Sequence, residues 1–189
     1  MDRRAAEAAI ADFLRALGHD PATDPELRET PARVVEAFAD ELLSGYAVDL
    51  RALVAKGSTE APASASGIVA LRELSVATVC PHHLMPGLGH ADVVYKPGQR
   101  VLGLGAIARL VEACSRRLAL QETIADDVVK ALLEHAGARG AYCEVTLVHG
   151  CLSARGACQT NARATSIARD GELNETEVLL ALRRAGGAP

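Results

Sequence analysis

Cys80, Pro81, His82 and His83 form a C-P-H-H run, and His149, Gly150 and Cys151 form a second cluster late in the chain. Two thiols and three imidazoles are a ligand set that suits zinc. Structural zinc sites use four protein ligands, whereas catalytic sites use three and keep a position for water. Cys80 and His83 have the C-x-x-H spacing of a chelating turn, and Cys151 would complete a three-ligand set. His82 and His149 are then left to move protons, which is the arrangement of a hydrolytic centre. Zinc in such a site lowers the pKa of water to about 7, and imidazoles suit acid and base work near neutrality. Side chains at i and i+2 on a strand share a face. His149 is therefore expected to look into the same cavity as Cys151.

Two other readings compete. A Cys80–Cys151 disulfide is disfavoured because the five cysteines are an odd number. It is disfavoured also because Met1-Asp2-Arg3-Arg4 opens into an alanine-rich amphipathic stretch rather than a secretory leader. The blander reading puts Cys151 in a core and the histidines on a surface, since buried cysteine is common.

Composition narrows the rest. The 189 residues suffice for one core, or one core with a helical appendage, and 49% apolar content is that of a globular chain. Aromatics are only 3%, with no Trp, so Ala, Leu and Val must build the core. No apolar run approaches the ~20 residues that span a bilayer, which argues against a membrane protein. The net charge of −4 argues against a general nucleic-acid surface. An anionic substrate would have to be held by local arginines rather than by the whole-protein field. Odd cysteines and no leader point to a reducing cytoplasm.

The elements that must position these residues follow from periodicity. Residues 3 to 17 repeat at helical spacing and end at Gly18. Thr30-Pro31 reads as a helix start, with Thr as the cap, Val34 to Leu43 on one face and Gly45 as the stop. These define an N-terminal helical region over 1–56, joined by a flexible, low-complexity connection over 57–67 to a catalytic domain over 68–185, with a tail at 186–189. Within that domain a strand is expected over 68 to 79, with a hairpin partner over 90 to 95 across a Pro86-Gly87-Leu88-Gly89 turn. Helices follow from Ile107 and Gln121, then strands over 141 to 148 and 163 to 169, and a last helix over 175 to 184. Two hairpins flanking a helix pair make an α+β fold, an antiparallel sheet with helices on one face.

The ordered set C-P-H-H, G-L-G-A-I-A-R-L-V, L-Q-E and V-H-G-C-L-S-A-R-G resembles GTP cyclohydrolase I, as does E-T-P-A-R-V from Glu29 to Val34. The resemblance covers about residues 26 to 184. It implies a tunnelling fold built into a homo-oligomeric ring, usually a decamer, with active sites between subunits. It implies hydrolytic opening of the guanine imidazole ring of GTP, release of formate and formation of 7,8-dihydroneopterin triphosphate, a step of tetrahydrofolate biosynthesis. By matching positions, Cys80, His83 and Cys151 hold zinc, and His82 and His149 transfer protons. Gln121 and Glu122 bind the guanine, with Glu122 reading its edge, and Arg33, Arg109 and Arg155 hold the phosphate tail. Cys114, Cys143 and Cys158 match no family role. His19, His90 and His135 read as surface or loop histidines.

The sequence departs from the family at the phosphate end. Gly105-Ala106 stand where Ser-Lys is common, Glu36 replaces a lysine, and Pro81 replaces a glutamate. Two lost charge-assisted hydrogen bonds at about 1.5–3 kcal/mol each amount to about two to four decades of affinity, unless Arg163, Arg169 or Lys96 compensates. Three functions therefore stand side by side. They are a GTP cyclohydrolase with a rearranged phosphate site, a diverged zinc hydrolase for a guanine nucleotide with a different or shorter tail, and a non-catalytic zinc-stabilised ring.

Overall fold

The computed structural model describes residues 1–61 and 67–186. The chain divides into two compact units, Met1–Ser44 and Gly45–Pro189.

In the first unit, helix α1 (Arg3–Ala16) is capped by Asp2, whose carboxylate accepts from Ala5 N–H. It packs on α2 (Thr30–Glu36). Glu29 occupies the N-cap position of α2 without a side-chain cap bond, so Thr30 lies inside the helix rather than capping it. Beyond Glu36 the backbone widens into a π-helix, Ala37–Leu42, where one continuous helix to Leu43 was expected.

In the second unit, Gly45 is not a helix stop. It sits where a Cβ would lie 2.3 Å from the Ala113 carbonyl, so its lack of a side chain allows a close backbone approach. Helix α3 (Leu50–Gly57), capped by Asp49, lies within the stretch read as the N-terminal helical region and contributes Val54 to the core of this unit. The connection expected to be flexible over 57–67 falls partly on residues 62–66, outside the described ones. Its described part includes β1 (Ser58–Glu60), which pairs with β4 (Arg100–Leu102).

The main sheet is antiparallel, in the order β2 (Val69–Val79), β3 (Pro86–Lys96), β5 (Gly140–His149), β6 (Ala164–Gly171). Helices α4 (Leu104–Ser115) and α5 (Gln121–Glu134) intervene between β3 and β5. The α+β expectation, with a helix pair on one sheet face, is met. Alternation explains it: Ala91, Val93, Tyr95, Cys143, Val145 and Leu147 point to one face and pack with Ile107, Leu110, Ile124, Val128 and Leu132 of the helix pair. The intervening Val94 and Tyr142 face the other way, against Val178 of α7 (Glu175–Ala185). Each fully buried Val, Leu or Ile contributes about 1.5–3 kcal/mol, so this face fixes the register. Burial raises the Cys114 thiol to about 12 and pushes up that of Cys143, so both are inert core residues.

The hairpin between β2 and β3 differs from expectation. Pro86 to Gly89 are not a turn but the first residues of β3, paired with Val79 to Val76. Pro86 opens a strand, where a missing N–H is tolerated. Gly89 is required by the neighbouring strand, since a Cβ there would lie 2.0 Å from the Thr146 carbonyl. The reversal is made by Cys80 to Met85.

Candidate metal centre and active site

The site forms at one end of the sheet, and Val79 is its pivot. Val79 N–H donates to the Arg117 carbonyl (3.3 Å), and its own carbonyl accepts from Ala119 N–H (3.2 Å). The Thr78 hydroxyl also donates to the Arg117 carbonyl, at 3.2 Å. The α4–α5 connection is thus tied to the end of β2. From that tie the chain continues into Cys80 on one side, and into Gln121 and Glu122 on the other.

The Cys80–Met85 turn is closed by Cys80 N–H donating to the Met85 carbonyl and Leu84 N–H to the Cys80 carbonyl, both at 2.9 Å. Leu84 lies in the left-handed region, φ 52°. A non-glycine residue held there costs on the order of 1–3 kcal/mol, and such strain gathers at functional sites.

The second cluster reaches the same place by another route. His149 ends β5 opposite Gly87 of β3. Gly150 lies against Pro86, where a Cβ would stand 2.9 Å from its carbonyl. Cys151 follows in the one-turn helix α6 (Gly150–Ser153). The strand parity expected to align His149 with Cys151 therefore does not operate. The strand stops at His149, and the helical turn carries Cys151.

The ligand atoms of Cys80, His83 and Cys151 lie within 4.8 Å of one another. Cys80 Sγ and His83 Nδ1 are 3.7 Å apart. Sulfur and nitrogen ligands at ordinary zinc bond lengths and a tetrahedral angle stand about 3.6 Å apart, so the donor pair fits such an ion. Desolvation and the adjacent Cys80 push the Cys151 thiol up, while Arg155 pulls it down. Two thiols facing each other beside an imidazole are a repulsive set when ionised, which a bound cation relieves. All five cysteines are free, so the alternative Cys80–Cys151 disulfide is not formed. Cys158 is exposed, at φ 51°, with its thiol on the Gly156 carbonyl.

The His82 and His83 rings are nearly perpendicular, their centroids 6.2 Å apart, so adjacent imidazoles diverge. His82 and Glu122 are exposed, Glu122 in the first turn of α5, where a carboxylate is favoured. Gln121 is 4% exposed. Its amide nitrogen lies 2.6 Å from the Val145 carbonyl and 2.9 Å from that of Ala164, and its Oε1 is 2.7 Å from His149 Nε2. The Gln121 side chain, expected to contact substrate, is engaged by these protein partners in the structure. The signal for this was a polar residue at position i of the apolar stripe Ile124, Ala125, Val128.

Arg155 is exposed near Cys151. Arg109 is exposed on α4 and lines a cleft of ≈ 530 Å³ with Ser75, Leu88 and Glu112. Arg33 belongs to the first unit, ion-paired with Glu29. Two of the proposed compensating cations lie at the other end of the sheet. Lys96 pairs with Glu177, and Arg169 donates to the Leu173 carbonyl. Arg163 directly precedes β6, whose first residue pairs with Leu147 at the site end.

The fold and this donor set define a class first: an α+β protein with a Cys-His-Cys donor set, able to hold a metal ion, at one end of its sheet. Comparison with known proteins narrows it. The family model for GTP cyclohydrolase I matches residues 6–182. A GTP cyclohydrolase 1 from Leifsonia xyli is 37% identical over 190 residues, covering 99% of this chain and 98% of its own. One from Chromobacterium violaceum is 42% identical over 152 residues, 80% of this chain and 71% of its own. Among solved structures, an archaeosine synthase QueF-like protein in its apo form is 17% identical, with a TM-score of 0.45 over 61% of this chain and 100% of that one. The chain belongs to the GTP cyclohydrolase I family, a family of hydrolases.

Proposed function

We propose that the protein is a zinc-dependent GTP cyclohydrolase that opens the guanine imidazole ring, releases formate and yields 7,8-dihydroneopterin triphosphate. The observation that carries this reading is the convergence of Cys80, His83 and Cys151 within 4.8 Å in a chain of this family. Those three residues would hold the ion. Zinc there supplies Lewis acidity and brings the pKa of water toward neutrality.

The chain's own residues do the rest. The Glu122 carboxylate, exposed in the first turn of α5, accepts from the guanine ring N–H and amino group together. This holds the purine against the β2–β3 turn. His149, held at the end of β5, and His82, on the turn, exchange protons with the ring nitrogens as bonds open and reclose. Arg155 and Arg109 hold the phosphate tail. The protein acts as a homo-oligomer, probed by its mass in solution, and its five free thiols suit a reducing cytoplasm.

A second reading, a guanine nucleotide with a shorter tail, is favoured by one observation. Ala106, at the position of the family lysine, is 3% exposed, and its Cβ is 2.4 Å from where a Cβ on Gly57 would sit. The position is closed by α3.

Zinc-loaded protein incubated separately with GTP, GMP and guanosine, with formate and pterin fluorescence measured, decides between them. Product from GTP and little from GMP is expected, and the reverse selects the shorter tail. No product from any of the three overturns both. His149→Ala is expected to keep one zinc per chain and lose turnover by about 10²–10⁴-fold, the usual contribution of a positioned acid–base group.

A further inference from the structure

Gln121 is a buried polar side chain whose atoms can be assigned without ambiguity. One end of its amide lies 2.6 Å from the Val145 carbonyl and 2.9 Å from the Ala164 carbonyl. Carbonyl oxygens only accept, so that end must be the NH₂ group, with each hydrogen donated to one strand. The other end is then Oε1, which only accepts. It stands 2.7 Å from His149 Nε2. His149 Nε2 must therefore carry a hydrogen. The neutral ring is held as the Nε2–H tautomer, and Nδ1 bears the lone pair. Second partners of histidine set which nitrogen works in this way.

The other side of the ring agrees. His149 Nδ1 lies 3.4 Å from the point where a Cβ on Gly87 would stand. Gly87 and His149 are register partners, so the absent side chain leaves the Nδ1 flank uncrowded by β3. Gln121 itself is anchored twice, to β5 through Val145 and to β6 through Ala164, and it opens α5 beside the Val79 tie. Helix, strands and imidazole thus share one amide.

We propose that Gln121 is a positioning residue that fixes His149 as the Nε2–H tautomer and makes Nδ1 the atom that accepts and returns the proton. The inference rests on the reading of His149 as a proton-transfer residue. It departs from the role of guanine contact that the family resemblance assigned to Gln121.

The test has two arms. In the first, zinc-loaded protein with ¹⁵N-labelled histidine is examined by NMR under mildly alkaline conditions, where imidazole is neutral. His149 should show a protonated Nε2 coupled to its hydrogen and an unprotonated Nδ1. The opposite pattern, or averaging between tautomers, overturns the proposal. In the second, Gln121→Met keeps the buried volume and removes every hydrogen bond. Its kcat should fall on the order of ten- to a hundredfold, less than the loss of the whole acid–base group, with KM for the nucleotide and zinc content unchanged. A raised KM at unchanged kcat makes Gln121 a substrate contact and overturns the proposal. If Gln121→Met does not fold, the NMR arm decides alone. If the wild-type protein turns over no guanine compound, the proposed function fails, while the tautomer measurement still reports on the bond.

Discussion

Ala106→Lys returns to α4 the cation that the family carries there, and the structure argues that this chain rejects it. Ala106 is 3% exposed, and its Cβ points at the last turn of α3, 2.4 Å from the position a Cβ on Gly57 would take. Extending that side chain overpacks the α3–α4 contact, at about 1–3 kcal/mol. Holding a lysine stem in one rotamer costs about 1.5–2 kcal/mol more. The sum, about 2.5–5 kcal/mol, corresponds to a melting temperature lower by about 5–20 °C for a chain of this length. Gly105→Ser is the control, because Gly105 is exposed and only Arg109 Nη1, at 3.9 Å, lies near its Cβ. Its stability should stay within about 0.5 kcal/mol of wild type. Thermal unfolding followed by circular dichroism measures both, and KM for GTP and for GMP measures the consequence for the tail. An Ala106→Lys protein that melts with wild type and gains selectivity for GTP refutes the claim that α3 closes this position.

The metal site gives a second expectation. With zinc at a hundredfold excess over its Kd, the protein should gain about 2.7 kcal/mol, or about 5–11 °C in melting temperature, over chelator-stripped protein. Cys151→Ser should abolish that difference together with one-to-one zinc binding by elemental analysis. The Lys96–Glu177 contact predicts acid sensitivity of α7. Hydrogen bonds from Lys96 and from the Asn174 backbone hold the Glu177 carboxyl below its usual value. The stabilisation is therefore full above the unfolded value, about 4.3, and is lost as pH falls through the folded one. Glu177→Gln should flatten the stability–pH curve in that acid window, and an unchanged curve shows that the contact contributes nothing.

The chemistry was legible where it is local. Cys80 and His83 sit three residues apart in a turn, so their spacing alone announced a chelate. Cys151 was recognisable by type, yet strand parity does not place it, because β5 ends at His149 and a helical turn begins. Glycine and proline misled at Pro86 to Gly89. Their usual meaning is a turn, but Gly89 is small because the Thr146 carbonyl approaches it from a strand distant in sequence. Helix α3 is only eight residues long, too short for periodicity to declare. The role of Gln121 was hidden for the same reason as that of Gly89. Its partners Val145, His149 and Ala164 lie 24, 28 and 43 residues away and meet it only when the sheet has formed.

The ligand trio joins parts of the chain that the backbone ladder alone holds side by side. Cys80 and His83 belong to the turn between β2 and β3, and Cys151 to the segment leaving β5, which is the ladder neighbour of β3. An ion gripped by all three is a reversible cross-link. It would close a loop of chain that carries α4 and α5 and pin the strand ends at the Gly87–His149 pair. Loop closure of this kind weighs on the unfolded chain. An ion bound there for chemistry would therefore also act as a clamp on register. Stripping it should free the site end of the β3–β5 ladder to exchange its amide hydrogens before the Lys96–Gly140 end does.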